Sequence, residues 1–227
     1  MKKFFVHIVF LLLAQILWAQ QKPIPTQYVY DKYFINPAYA GSSNFFTASM
    51  TVKQQLLGFE GAPKTQYFMS QLPMQAQFMG VGIKLMHDQI GVATQNNVLV
   101  SYAYQIGLAG GALSMSLAGG LYNSAAKFSQ LIIADDDPDA AIPLNNESVT
   151  VPDASFGMFY KFEKLYVGYS VFHLLGGNLK YASTGYEGGE VLSKYHYIVS
   201  GFNYKLNKQM TLEPMILGKI GQASPLQ

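Results

Sequence analysis

The sequence feature that most constrains the fold is an alternation, with a period of two residues, between apolar residues and small or polar ones. The alternation is clearest in five stretches, at residues 79–86, 98–104, 155–160, 165–172 and 210–216. Successive side chains of a β-strand point to opposite faces, so each stretch predicts a strand with one apolar face. A soluble β-sandwich alternates in the same way, and the period alone therefore does not identify the surrounding medium.

The strongest candidate for a membrane-spanning helix is the apolar stretch at residues 106–122, which only Ser114 and Ser116 interrupt. Two features favour strands instead of a helix. The stretch holds five glycines, which weaken a helix, and residues 112–118 alternate with period two. We therefore predict a tight turn at residues 108–110 between two strands, with the spanning helix as the alternative.

The whole pattern predicts a barrel. We predict nine strands, at residues 45–58, 64–73, 77–88, 96–107, 111–126, 153–162, 165–173, 194–206 and 210–219. Short and long connections alternate along the chain, so an up-and-down meander places all short turns at one end, as in outer-membrane barrels. The predicted fold class is all-β, an antiparallel up-and-down transmembrane β-barrel over residues 44–227, with the long loops 127–152 and 174–193 outside the cell.

Two observations indicate that this barrel is incomplete. Nine strands is an odd number, whereas single-chain bacterial barrels usually have an even number. The chain also ends in Ala-Ser-Pro-Leu-Gln, without a final amphipathic strand. We therefore expect either that C-terminal strands are missing from this chain or that the strand count is wrong by one.

The composition favours a protein that faces an apolar medium. Half of the residues are apolar and only 12% are charged, whereas about 25% are charged in soluble domains. Removing Lys2 and Lys3 leaves as many basic as acidic residues, 13 of each. A neutral chain lacks the basic surface that nucleic acid requires. The absence of Cys excludes disulfides, thiolate metal sites and a cysteine nucleophile.

The N-terminus predicts export. Lys2 and Lys3 precede the mostly apolar run 4–18, and Ala19-Gln20 resembles a cleavage site. This pattern predicts a secretory signal peptide at residues 1–19. An N-terminal membrane anchor is the alternative, although the run is short for a spanning helix of about 20 residues. Residues 20–43 then form an extended N-terminal segment ahead of the barrel.

Several short motifs resemble one family. They are Asn36-Pro37-Ala38-Tyr39-Ala40-Gly41, then Gly61-Ala62-Pro63 with Thr65, then Asp88-Gln89-Ile90-Gly91, and Tyr102-Ala103-Tyr104. Together they are similar to the PorP/SprF family of Bacteroidota outer-membrane proteins, over roughly residues 24–220. The first two motifs are specific as a pair, while each short piece alone is weak. Family members are usually longer, which agrees with the expected missing strands.

The resemblance implies a role in type IX secretion at the cell outer membrane. Family members assist the export or surface attachment of cargo proteins, including gliding adhesins, through the cargo's C-terminal domain. The implied partners are outer-membrane lipid, type IX components and such cargo. Candidate partner-binding residues are Asn36, Pro37, Tyr39, Gly41, Gly61, Pro63 and Thr65. The alternative for the first motif is purely structural, a lead segment tucked into the barrel mouth with the Tyr39 hydroxyl hydrogen-bonded.

Candidate chemical groups are few. The acidic loop residues Asp135, Asp136, Asp137 and Asp139 could bind Ca²⁺, but their spacing does not match an EF-hand, which favours a solvated loop. His87, His173 and His196 are predicted near the external ends of strands, where interface polarity is the ordinary explanation. A lipase would need Ser beside His, and Ser170 and His173 should point to opposite faces. We predict no catalytic, metal or cofactor site and no enzyme; a porin-like channel for small or hydrophobic solutes is the alternative function.

Overall fold

The protein is all-β in the computed structural model, which describes residues 26–43, 45–74, 78–130, 146–179 and 190–221. Nine strands form one antiparallel sheet and follow one another across it in chain order. These strands are β1 (Thr47–Gln54), β2 (Lys64–Met74), β3 (Met79–Ile90), β4 (Ala93–Leu108), β5 (Gly111–Ala126), β6 (Glu147–Phe162), β7 (Leu165–Phe172), β10 (Tyr195–Phe202) and β13 (Met215–Gly221). Each strand pairs with the strand before it in this order, which confirms the predicted up-and-down meander.

The described part of the chain contains no helix that is both long enough and apolar enough to cross a membrane.

The predicted turn between two strands at residues 108–110 is confirmed. Strand β4 ends at Leu108 and β5 begins at Gly111, and the two strands pair along their whole length. Ala109 and Gly110 have φ values of +48° and +77°, the left-handed conformations that a two-residue hairpin turn requires. The apolar stretch that could have been a spanning helix is therefore two strands.

The predicted alternation of short and long connections is wrong at two places. The β3–β4 connection is the tight turn Gly91-Val92 and not a longer loop at 89–95, because Gly91 adopts a φ of +57°. The β10–β13 connection spans residues 203–214 instead of 207–209. It contains the short paired strands β11 (Tyr204–Lys205) and β12 (Thr211–Leu212). The remaining connections define a short-turn end (109–110 and 163–164) and a long-loop end (55–63, 127–146 and 173–194).

The two faces of the sheet differ as the alternation predicts. On β4, Val100 is 53% exposed and its neighbour Ser101 is 2% exposed. The same contrast separates the exposed Ile83 from the buried Lys84 on β3, and Leu117 from Ser116 on β5. We call the exposed apolar side the outer face and the buried side the inner face.

A second, smaller layer covers part of the inner face at the long-loop end. Strands β8 (Asn178–Leu179) and β9 (Glu190–Val191) pair with each other. Leu179 and Leu192 are buried against Tyr122 of β5, with Val151 of β6 at the edge of the cluster. The described parts of the β7–β10 connection therefore lie on the inner side of the sheet.

Candidate functional site: a plug on the inner face

The N-terminal segment fills the middle of the inner face. All of Tyr33, Phe34, Ile35, Asn36, Ala38, Tyr39 and Ala40 are at least nine-tenths buried. The apolar residues among them form the main hydrophobic cluster with inward residues of the sheet. We call residues 28–42 the plug. A segment this short is buried only because the sheet curves around it.

The backbone of the plug is shaped by two caps and one proline. The segment is not fully extended but contains three short 3-10 helices, Thr26–Val29, Lys32–Phe34 and Pro37–Tyr39. The Asp31 side chain accepts a hydrogen bond from the Tyr33 N–H, and the Asn36 side chain accepts one from the Ala38 N–H. Pro37 opens the third helix, where its missing N–H costs nothing. The asparagine and proline of the first motif therefore have a clear local role.

Hydrogen bonds join the plug, on the inner face, to strands across most of the sheet, from β1 to β7. The Asn36 amide donates to the carbonyl oxygens of Met158 on β6 (2.8 Å) and Tyr169 on β7 (3.3 Å). Further bonds link Asp31 to Ser49 and Gln71, Tyr33 to Ser101, Ser114 to the Ala38 carbonyl, and Ser170 to the Ile35 carbonyl. The polar inner-face residues therefore satisfy plug groups that would otherwise be buried without partners.

Lys84 is the one lysine of the described residues that is buried in the sheet. Its ammonium group donates to the Phe34 carbonyl oxygen at 3.0 Å. It also lies 5.0 Å from the centre of the Phe34 ring and 4.3 Å from that of Phe172. A buried cation needs such partners. The plug therefore stabilises the buried charge of Lys84, and Lys84 in turn binds the plug to β3.

Glycines on the inner face provide the space that the plug occupies. A Cβ built on Gly80 would lie 2.3 Å from the Ala40 carbonyl oxygen, and one on Gly41 would lie 2.5 Å from the Gly80 Cα. A Cβ on Gly157 would lie 2.2 Å from the Asn36 Oδ1. Gly41 also has a φ of +71°, which other residues rarely adopt. The glycines on the small side of the alternation therefore lie where the plug packs against the sheet.

One ion pair fastens the plug at the short-turn end. The Lys32 ammonium contacts the Glu213 carboxylate, which belongs to the β10–β13 connection, and lies 4.6 Å from the centre of the Tyr166 ring. Partial burial alone would raise the pKa of Glu213. The hydrogen bond and charge of Lys32, together with smaller contributions from Tyr166 and Lys161, outweigh it and hold that pKa below its ordinary value. The carboxylate is therefore ionised when the plug is seated.

The hydroxyl group of Tyr39 differs from that of Tyr33, which is hydrogen-bonded to Ser101. The Tyr39 ring packs on Phe159 with centroids 4.1 Å apart, and burial raises the pKa of Tyr39 well above the ordinary value. The hydroxyl is buried without a hydrogen-bond partner among the described residues, so the predicted bond is not found there. Tyr39 also lines a cleft of ≈ 530 Å³ at the short-turn end, together with Tyr30, Gln105 and Lys161.

The second motif lies elsewhere. Gly61 and Pro63 belong to the β1–β2 loop at the long-loop end, where the Gly61 carbonyl accepts a hydrogen bond from the Gly91 N–H. Thr65 donates to Asp88 across strands at 2.6 Å. Gln71, which bonds the plug, is six residues farther along β2 than Thr65, or roughly 20 Å at the usual rise per residue. The structure thus separates the candidate partner-binding residues into two sets.

The three histidines that the structure describes form separate contacts and no common site. His173 lies 2.9 Å from the buried Asp153, to which the Asn97 amide also donates. The part of the chain that the structure describes contains no group of three metal-binding side chains. Ser170 donates to the Ile35 carbonyl of the plug, and His173 contacts the inward Tyr122 and Asp153, so both lie on the inner side. The prediction of opposite faces is wrong, because β7 ends at Phe172 and His173 adopts a φ of +57°. The four aspartates at 135–139 lie outside the described residues.

Fold and site together define a class of protein: an antiparallel membrane-barrel sheet that carries its own N-terminal segment as a plug. A family model described as type IX secretion system membrane protein PorP/SprF matches residues 17–227. The chain therefore belongs to the PorP/SprF family. Neither the curated proteins nor the solved structures contain a significant match.

Proposed function

We propose that this protein is an outer-membrane accessory of the type IX secretion system that assists the export or surface attachment of cargo such as gliding adhesins. Membership of a family of type IX membrane proteins supports the assignment to this secretion system. We further propose that residues 1–19 are a signal peptide removed on export, and that the source is a member of the Bacteroidota. The protein acts by binding partners and performs no chemistry.

The observation that carries the proposal is the occupied inner face. A solute channel needs a continuous polar path, whereas here the plug fills the middle of the sheet and the β8–β9 layer covers part of one end. The many plug–wall bonds support a permanent plug. A filled interior favours a docking role over the porin-like alternative.

Tyr39 is the residue that we assign to partner binding in the first motif. A buried hydroxyl without a partner costs about 1–3 kcal/mol, so phenylalanine would serve the plug at least as well. Tyr39 also faces the cleft at the short-turn end, where part of the plug meets solvent. We propose that a type IX component or cargo segment enters this cleft and accepts a hydrogen bond from the Tyr39 hydroxyl.

The test is surface display of cargo in strains that carry Tyr39→Phe or a deletion of residues 21–43. We expect Tyr39→Phe to leave protein level and heat-modifiable mobility unchanged and to reduce display of the cognate cargo. The deletion should abolish that display while unrelated type IX cargo is still exported. Gly119→Ala is the control, because a Cβ on Gly119 meets nothing within 4 Å. Normal display in the deletion strain would refute the proposed function, and normal display with Tyr39→Phe alone would refute the role of the hydroxyl.

A further inference from the structure

The outer face carries a row of polar side chains near the long-loop end. His87, Asn96, Asn123 and Thr150 occupy cross-strand partner positions on β3, β4, β5 and β6. The His87 ring nitrogen lies 2.7 Å from the Asn96 side-chain oxygen, and the Asn96 amide donates to the Asn123 oxygen at 3.2 Å. The Asn123 amide donates to the Thr150 hydroxyl at 2.9 Å. We call these four residues the amide ladder.

An apolar row lies directly beside the ladder, one outward position toward the short-turn end. Leu85, Val98 and Leu121 occupy partner positions on β3, β4 and β5. All three are exposed, at 37%, 45% and 55%. The outer face therefore changes from apolar to hydrogen-bonding between consecutive outward residues, at the same level on three strands.

We infer that the amide ladder is a lipid-contact surface, which binds the hydrogen-bonding headgroups of the leaflet at the long-loop end and fixes the depth of the sheet in the membrane. Each asparagine amide has two donor hydrogens and an acceptor oxygen with two lone pairs. Both hydrogens of Asn123 are used, on Thr150, Ser148 and the Val149 carbonyl, whereas the ladder uses one hydrogen of Asn96 and one lone pair of the Asn123 oxygen. Leaving such groups in hydrocarbon costs several kcal/mol per group. The ladder therefore lies where polar partners are available.

A headgroup layer fits the ladder better than a single protein partner does. The ladder follows the curved outer face across four strands, and its groups are two amides, a hydroxyl and an imidazole. Protein interfaces are usually anchored by buried aromatic or arginine side chains, and the ladder contains neither. A continuous line of hydrogen-bonding groups matches a layer of headgroup donors and acceptors.

Aromatic residues mark the other edge of the apolar outer face, at a distance from the ladder that fits the thickness of a membrane. Tyr102 and Tyr104 of β4 are exposed on the outer face toward the short-turn end, as is Phe202 of β10. Asn96 and Tyr104 are eight residues apart, roughly 27 Å along the strand. At the usual strand tilt this is about 20 Å along the membrane normal, close to the apolar band of about 25 Å in barrels.

Single cysteines test the inference, because the chain has no cysteine of its own. The variants are Asn96→Cys with Val98→Cys, and Asn123→Cys with Leu121→Cys, so each ladder position has a neighbour on the same face. The purified protein is placed in phospholipid nanodiscs, which expose both membrane surfaces, and reacted with a charged maleimide. Heat-modifiable mobility confirms assembly, and two pairs on different strands guard against one pair failing to fold.

We expect the ladder cysteines to react at least about tenfold faster than their neighbours, because a rise of one unit in thiol pKa alone lowers the thiolate fraction tenfold. Removing the lipid with detergent and denaturant should equalise the rates. Equal rates in nanodiscs, whether all fast or all slow, would overturn the inference. So would ladder cysteines that react in nanodiscs but are protected in native membranes, since a protein would then cover the ladder.

Discussion

Gly80 is the position at which one added carbon atom tests whether the plug is seated as described. Gly80→Ala places a Cβ 2.3 Å from the Ala40 carbonyl oxygen and 2.5 Å from the Gly41 Cα. Both contacts are with backbone atoms, so no side chain can rotate away. The plug must shift off β3, or the strand must bend.

The cost follows from two opposing terms. Overpacking of a well-packed interior typically costs about 1–3 kcal/mol, while replacing glycine by alanine restricts the unfolded chain and returns about 0.4–1 kcal/mol. We expect a net loss of about 1–2 kcal/mol in the free energy of unfolding. Gly119→Ala, with nothing within 4 Å of its Cβ, should be neutral or slightly stabilising.

Two measurements decide the matter. Urea unfolding in detergent gives the change in free energy, and limited proteolysis of the folded protein reports release of the plug. Gly80→Ala should lower the unfolding free energy and speed cleavage within residues 28–42, with no change in Gly119→Ala. If the two variants have equal stability and equal cleavage rates, the plug does not lie against Gly80 and the description of the site is wrong.

Three further predictions concern single side chains. Ser114→Ala leaves the Ala38 carbonyl without its 2.7 Å hydrogen bond and should lower the unfolding free energy by about 1 kcal/mol; Ser116→Ala, which loses only a 3.5 Å contact, should cost less, and equal losses would refute the contact. Val100→Lys places a charge in the middle of the outer face and should cost about 2–4 kcal/mol in lipid, whereas Ser148→Lys at the long-loop end should be tolerated, and equal costs would contradict the assignment of the face. The pKa of Glu213 is lowered in the folded protein. The stability that its carboxylate contributes is therefore present above its unfolded pKa of about 4.5 and is lost as pH falls through the folded value. Plug release measured by proteolysis should rise in that pH range, and a Glu213→Gln variant with the same pH dependence would contradict the role of the ion pair.

The sequence predicted the sheet well because β-strand periodicity is a local signal. The turn at Ala109-Gly110 and the outward Val100 followed directly from the alternation. The errors arose where one residue changes the backbone locally. Gly91 closes a two-residue turn, and His173 leaves the strand with a positive φ, and neither conformation is visible in a pattern of apolar residues.

The site was only partly predictable. The motif around Asn36 and Tyr39 was identified as a lead segment, but its wall contacts depend on residues far away in sequence. Lys84 and Ser114 gave a signal only as polar residues on the small side of strands. The Lys32–Glu213 pair joins residues 181 positions apart, and no local pattern predicts such a pair.

Single-channel conductance in planar lipid bilayers tests the central claim most directly, because it separates a plugged docking protein from a solute channel. The protein that retains residues 21–43 should show no steady conductance, since the plug fills the inner face, and deletion of residues 21–43 should open a pore. A steady conductance of the intact protein, equal to that of the deletion variant, would contradict the account and favour the porin-like alternative.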